Sequence, residues 1–299
     1  MNRFDYRKIR QMLLFAAVVE EGSFRRAADR LNMSQPPLTA QIDELESRLK
    51  VKLLVRTPRG VRMTAQGQAF LPLVRNFIAQ AELLDYSIEE LRLGHKALLT
   101  VAAVSEAMMS WIPEFRRTLE AKAPGLALFT KEIDSIEVVR ELETNNVMLA
   151  IGFFEKFENP NLRFATIREE KPVLVVSADH PLAKVNKVNL KDLADEDWVF
   201  QVRNISPYLV DALIGACLEK GFSPRIRHEV TGTMREIAFV GCGQGIGMLP
   251  EFFACMLPPS VVAKPIADVT PFIRLSIAWN ASVESAPRDE ALRLAGVLK

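Results

Sequence analysis

The chain has 299 residues, 49% of them hydrophobic and 25% charged, with a formal net charge of +1 at pH 7. These proportions describe a globular protein with real cores and exclude a disordered or low-complexity chain, and the length allows a small head plus one or two further domains. The near-neutral total hides an asymmetry: residues 1–64 carry 13 Lys and Arg against 7 Asp and Glu, so a basic head precedes an acidic body. Phosphate attraction needs only the head to be positive.

The first element reads as a helix over residues 6–20, with Ile9, Leu13, Ala16 and Val19 as its apolar stripe. Its start, RKIR followed by MLLFAAVV, imitates a signal peptide. The apolar run is short, however, ends in Glu20 and Glu21, and lacks a small-x-small cleavage site. It is read as a core helix. Ser23 is placed to cap a second helix over 24–31, where Ala27 and Ala28 permit a close helix crossing. Asn32 and Met33 break the chain, and Ser34 is expected to cap a third helix with Pro36 and Pro37 in its first turn. Leu38, Ile42, Leu45 and Leu49 give that helix an inward stripe.

The polar side of the third helix carries Ser34, Gln35, Thr39 and Gln41, which suit base edges and phosphate oxygens. Asp43, Glu44 and Glu46 come later, where the helix would leave a DNA groove. Arg56, Arg59 and Arg62 punctuate a TPRG loop that suits a wing along the phosphate backbone. Two helices, a tight turn and a basic loop are how a protein presents one helix to the major groove.

These residues resemble the N-terminal domain of the LysR-type transcriptional regulators. The shared pattern runs through Phe15, Glu21, Gly22-Ser23-Phe24, Ala27-Ala28, Leu31, Ser34-Gln35-Pro36, Leu38-Thr39, Gln41-Ile42, Leu45-Glu46, Leu49, Leu53, Arg56, Thr64 and Gly67. Ala40, Lys50 and Leu54 depart from it: the first removes a basic side chain common in the family, and the others concern packing and turn geometry. The resemblance implies DNA contacts from Arg25, Ser34, Gln35, Pro36, Pro37, Thr39, Gln41, Arg56, Arg59 and Arg62. It also implies the fold class: an all-α winged helix-turn-helix over 1–64, a long linker helix over 65–93, and an α/β effector domain over 94–299. That last domain would be two-lobed and periplasmic-binding-protein-like.

Thr64 is expected to cap the linker helix. Phe70, Val74, Phe77, Ala81, Leu84, Ile88 and Leu91 recur at alternating spacings of four and three, a heptad seam that predicts pairing with a second helix. Pro72 should kink its first turns.

Beyond it, strand-like runs fall at 98–104, 126–133, 148–154, 173–177, 198–202, 226–230, 246–249 and 273–279, with helices at 108–121, 136–144, 207–220 and 234–241. By the resemblance, 95–167 and 271–299 form one lobe and 168–270 the other. Ligands in open α/β sheets bind beyond the carboxyl ends of strands. Ser105, Ser135 and Ser206 stand at three such junctions and are each expected to cap a helix. The effector site is assigned to Ser105, Glu106, Ser135, Phe153, Ser206, Pro207, Leu209 and Thr231. Glu106 is awkward for a carboxylate ligand. A ligand bearing an amine or hydroxyls, or a Glu106 turned away, resolves that.

Other chemistries find little footing. The run GCGQGIG from Gly241 has the wrong spacing and position for a dinucleotide fingerprint and reads as a helix-to-strand turn. There is no P-loop, nucleophile elbow or paired His-Glu motif, so an enzyme is not expected. Cys217, Cys242 and Cys255 read as buried structural thiols, against the alternative of a redox-sensing regulator. His95, His180 and His228 show no metal-ligand spacing, and neither metal nor cofactor is expected. No stretch reaches the length of a membrane span, and the protein is placed in the cytoplasm. The expected partners are double-stranded promoter DNA, a small-molecule effector, RNA polymerase, and further copies in a homodimer and homotetramer. The competing function is a small-molecule binding protein without a transcriptional role.

Overall fold

The computed structural model describes residues 6–58, 60–154 and 156–298, which divide into two units, Met1–Arg92 and Leu93–Lys299. The first unit runs α1 (Tyr6–Glu21), α2 (Phe24–Arg30), α3 (Gln35–Leu49), β1 (Leu54–Thr57), β2 (Gly60–Met63) and α4 (Ala65–Arg92). Ser23 precedes α2 in an extended conformation, and its hydroxyl accepts from the Arg26 amide at 3.4 Å. Asn32 then takes a left-handed φ of 53°, which turns the chain into α3.

Ser34 occupies the cap position of α3, but its hydroxyl makes no capping hydrogen bond, contrary to expectation. The reason is chemical. A cap accepts from the second or third helical amide, and those positions are Pro36 and Pro37, which have no N–H.

Leu38, Ile42 and Leu45 are buried as their spacing requires. On α1 the expected stripe holds at Ala16 but is otherwise rotated: Leu13 is 41% exposed, and the buried face also takes in Gln11, Leu14, Phe15 and Val18. Phe15 sets this rotation, because it is fully buried and packs 5.5 Å from the Phe70 ring of α4. The Pro-Gly loop is the tip of an antiparallel hairpin pairing Leu54 with Met63 and Thr57 with Gly60. Arg59 lies outside the described residues. Gly60 has a φ of 126° and sits where any Cβ would strike the Gly22 carbonyl, while the Val61 amide donates to that same oxygen at 3.0 Å. The hairpin is thereby docked on the turn between α1 and α2.

The Thr64 hydroxyl accepts from the Gly67 amide at 2.9 Å and caps α4, whose 28 residues span about 42 Å. The heptad seam is divided. Val74, with neighbouring Leu71, is buried in the head's own core, whereas Leu84, Ile88 and Leu91 are exposed.

In the second unit, a five-stranded sheet has the order β4-β3-β5-β12-β6. Its strands are β3 (Ala97–Ala103), β4 (Leu126–Glu132), β5 (Leu149–Phe153), β6 (Leu162–Glu170) and β12 (Ile273–Asn280). β3 is parallel to β4 and β5, and its continuous run of small and branched apolar residues is what a strand covered on both faces needs. On one face pack α6 (Trp111–Lys122) and α10 (Ala286–Leu294), and on the other α7 (Val138–Glu143). The single helix expected over 108–121 is two: α5 (Ser105–Met109) breaks at Ser110 before α6.

The second lobe holds β7 (Pro172–Ser177) between β10 (Gly247–Pro250) and β11 (Val261–Pro265), all antiparallel. β8 (Asp197–Gln201) and β9 (Arg225–Val230) form a parallel pair joined to that sheet by a bridge from Trp198 to Ile246. α8 (Pro207–Glu219) and α9 (Thr233–Gly241) complete it. The first crossing between lobes lies at Lys171 rather than at 168, because β6 keeps pairing with β12 as far as Glu170.

Candidate nucleic-acid interface and inter-lobe cleft

In the head, α3 presents Ser34, Gln35, Pro36 and Pro37 as exposed side chains at its N-terminal end, with Thr39 half-buried behind them. Two prolines in the first turn leave Gln35 as the sole residue there whose backbone N–H is free of the helix ladder. Polar contacts from this tip therefore fall to side chains. Gln41 is differently placed: the fully buried Gln11 donates to its Oε1 at 3.3 Å and to Glu44 at 2.9 Å, which ties α1 to α3. Its amide oxygen is spent inside the head.

The cations of the head fall into two groups. Arg26 and Arg30 are held by Glu20 and Glu21, and Arg48 by Glu44. Arg25, Arg56 and Arg62 are exposed and form no ion pair with another described residue. The Arg56 guanidinium lies 4.8 Å from the centre of the Phe24 ring, a cation–π contact that orders it without neutralising it.

Glu46, expected among the solvent-facing acids, is 4% exposed. Its Oε1 accepts from the Leu53 and Leu54 amides at 2.8 and 3.0 Å, and Lys52 Nζ donates to Oε2 at 2.6 Å. Burial alone would raise this carboxyl, but those three donors outweigh it and hold it below the usual carboxylate range. Glu46 is thus a strut between the end of α3 and the start of the wing. Its place at i+1 after buried Leu45 gave no sign of this, since the partners are backbone groups that periodicity does not show.

The second site is the cleft between the lobes. Its lining includes Ser105, Glu106, Asp134, Ser135, Phe153, Gln201, Ser206 and Thr233 around a space of about 40 Å³. Five of the expected effector residues are therefore brought together: Ser105, Glu106, Ser135, Phe153 and Ser206. Three are not. Leu209 is 3% exposed and faces an inner void with Glu236, Pro207 is absent from the lining, and Thr231 is exposed with its hydroxyl taken by Arg235.

The capping expectations are corrected here as well. Val104 holds the cap position of α5, without a capping bond, and Asp134 that of the helical turn at Ser135, so Ser105 and Ser135 lie one residue inside. The Ser105 hydroxyl instead hydrogen-bonds Glu132. Ser206 does precede α8, but its hydroxyl makes no cap bond.

Glu106 faces the cleft and closes it. The Thr233 hydroxyl donates to Glu106 Oε1 at 2.8 Å and accepts from Gln201 Nε2 at 2.9 Å, so one lobe is clasped to the other. Burial, with Glu132 and Asp134 nearby, pushes the Glu106 carboxyl up. Behind it, Glu236 is 2% exposed, and burial raises its carboxyl to about 8. Two lining residues escape the sequence reading: Thr233, the first residue of α9, where the ligand position was assigned to Thr231, and Gln201 at the end of β8. Gly232, with a φ of 85°, stands at the cap position of α9, which starts at Thr233, one residue before the expected 234.

Cys217 is buried, and burial raises its thiol to about 12, whereas Cys242 and Cys255 are exposed rather than buried as expected. Among the described residues no cluster of three candidate metal ligands occurs, and no helix is long and apolar enough to cross a membrane.

Comparison with known proteins matches both parts of the chain. The family model described as "LysR substrate binding domain" covers residues 93–294, and "Bacterial regulatory helix-turn-helix protein, lysR family" covers residues 9–68. The uncharacterized HTH-type transcriptional regulator YnfL of Escherichia coli is 31% identical over 293 residues, 96% of this chain and 97% of that protein. The HTH-type transcriptional regulator AlsR of Bacillus subtilis is 32% identical over 82% of this chain and 80% of its own length. Full-length CbnR in complex with its target DNA shares the fold, with a TM-score of 0.83 over 96% of this chain and 98% of that one at 23% identity.

Proposed function

Because the chain belongs to the LysR family of bacterial helix-turn-helix transcriptional regulators, we propose that it binds promoter DNA as a homo-oligomer and that a small-molecule effector held between its lobes modulates this binding. The observation that carries the DNA half is the tip of α3. Ser34 and Gln35 stand exposed with no internal partner drawing them away, and the unpaired cations Arg25, Arg56 and Arg62 belong to the same head. Side chains at the tip read base edges, and the arginines hold phosphates without reading sequence. Arg59 is assigned to the same wing.

Leu84, Ile88 and Leu91 of α4 form the exposed half of the seam, and their burial against a second copy builds the dimer. Two heads then address two half-sites about a helical turn or more apart. A tetramer forms through the bodies, and RNA polymerase is the downstream contact. An effector acts only through its differential affinity for two arrangements of the lobes. The clasp between Glu106 and Thr233 is the contact such a ligand would strengthen or replace. No catalytic role or cofactor is assigned, and the site of action is the cytoplasm, where promoter DNA is found.

The test is a gel mobility shift with DNA from upstream of the chain's own gene and of its neighbours, at low and moderate salt. Retarded bands that weaken steeply as salt rises are expected. Absence of binding to any of these fragments at low salt would leave only a ligand-binding protein.

A further inference from the structure

The cleft has a sign. Glu106 and Asp134 line it, Glu132 stands beside them bonded to Ser105, and no Lys, Arg or His is among the lining residues. Of the basic side chains of neighbouring segments, Arg203 pairs with Asp211 at 2.6 Å and Lys131 and Arg140 each pair with Glu141 at 3.0 Å, while Arg235 donates to the neutral Thr231 hydroxyl and is not among the lining residues. An anionic ligand would therefore meet carboxylates with no cation among the described lining residues to offset them.

A second observation points to an occupant. Ser206, which lines this space, is 6% exposed, and its Oγ has no hydrogen-bond partner. Ser135 Oγ, across the cleft in the other lobe, is likewise buried and unpartnered. Buried hydroxyls without a partner are costly and uncommon, and two on residues lining one cavity from opposite lobes suit something that bonds to both. Ser206 also precedes α8, whose positive end favours a lone pair over an ammonium group. The two ends of the cleft thus prefer different ends of a ligand.

From this placement we infer that the effector is a small cationic molecule, a protonated amine or amidine that also carries a hydroxyl. Its charge sits between Glu106 and Asp134, and its hydroxyl bonds Ser206. The inference rests on the effector reading above and adds the ligand's chemical class and orientation. The raised Glu106 carboxyl fits it, because a bound cation favours the ionised form and so binds with release of a proton.

The experiment is a thermal-shift and calorimetric titration of the full-length chain at constant ionic strength. Four probes are used: 3-aminopropan-1-ol and 1,4-diaminobutane as cations, propane-1,3-diol as the neutral control, and 3-hydroxypropanoate as the anion. A saturable rise in melting temperature with 3-aminopropan-1-ol, absent with the diol and the hydroxy acid, is expected. Glu106→Gln keeps an acceptor for Thr233 and should weaken amine binding about ten- to a hundredfold, with Asp134→Asn and Ser206→Ala weakening it about tenfold. Stabilisation by the hydroxy acid, no saturable response to either amine, or an amine response unchanged in Glu106→Gln and Asp134→Asn would overturn the inference. A parallel mobility shift separates the two levels: DNA binding retained by a chain insensitive to amines sinks only the ligand class, whereas loss of DNA binding sinks the regulatory reading itself.

Discussion

Replacing Glu46 with Ala should loosen the wing before it disturbs anything else. The substitution leaves the Leu53 and Leu54 amides, at 1% and 8% residue exposure, without acceptors. At about 1–3 kcal/mol for each unsatisfied buried donor, the loss comes to roughly 2–6 kcal/mol. The Lys52 pair adds little, because that side chain is 71% exposed. Glu46→Gln retains one acceptor oxygen and should cost about 1 kcal/mol. Amide hydrogen exchange on the full chain is the direct assay: Leu53 and Leu54 should lose protection in Glu46→Ala while Leu99 and Val101, in the other unit, keep theirs. The pH dependence has a definite sign. Since the folded carboxyl lies below the ordinary 4.5, its contribution is complete above that value and is lost as pH falls through the lowered folded value. Unchanged exchange at Leu53 and Leu54 in the Ala variant would refute the strut.

Three further outcomes are expected. Glu236 releases its proton near 4.5 when unfolded but near 8 when folded, so it destabilises the native state increasingly across that window, by about 1.4 kcal/mol per pH unit at most. Melting curves of Glu236→Gln should therefore pull ahead of the parent between pH 5 and 8, and a gap that stays constant with pH contradicts the assignment. Arg56→Ala should weaken binding to every DNA sequence alike and lower the salt slope by about one, whereas Gln35→Ala should change sequence preference; identical effects of both on a panel of sites would undo that division of labour. Leu84→Lys combined with Ile88→Lys should shift the sedimenting species towards monomer, and a species unchanged in mass would remove α4 as the pairing surface.

What the sequence made legible follows from where the partners of each residue lie. The stripe of α3 and the break at Asn32 are local, so spacing and turn chemistry were enough to place them. The rotation of α1 was not local, because it depends on Phe15 meeting Phe70 far along the chain. β6 and β11 went unread for a related reason. Both lie at sheet edges, where LRFATIREE and VVAKP mix polar residues or proline into the run that marks a central strand. α10 hides its buried Ala291 and Leu292 within the charged segment APRDEALRL. In the cleft, the serines were found because strand ends followed by helix starts can be read in one dimension. Thr233 meets Glu106 only once the lobes are folded together, and Gln201, which donates to Thr233, and Glu236 are long-range neighbours of the same kind.

The adjacent prolines at the start of α3 have a consequence for how new operators are acquired. Their fixed φ angles set the first turn before DNA arrives, so little conformational freedom remains to be lost on docking. Because those two positions bring no backbone donors, the tip works as a stiff mount with interchangeable letters. Under the proposed contacts, exchanging Ser34 or Gln35 is expected to change the sequence recognised and to leave the mount itself untouched.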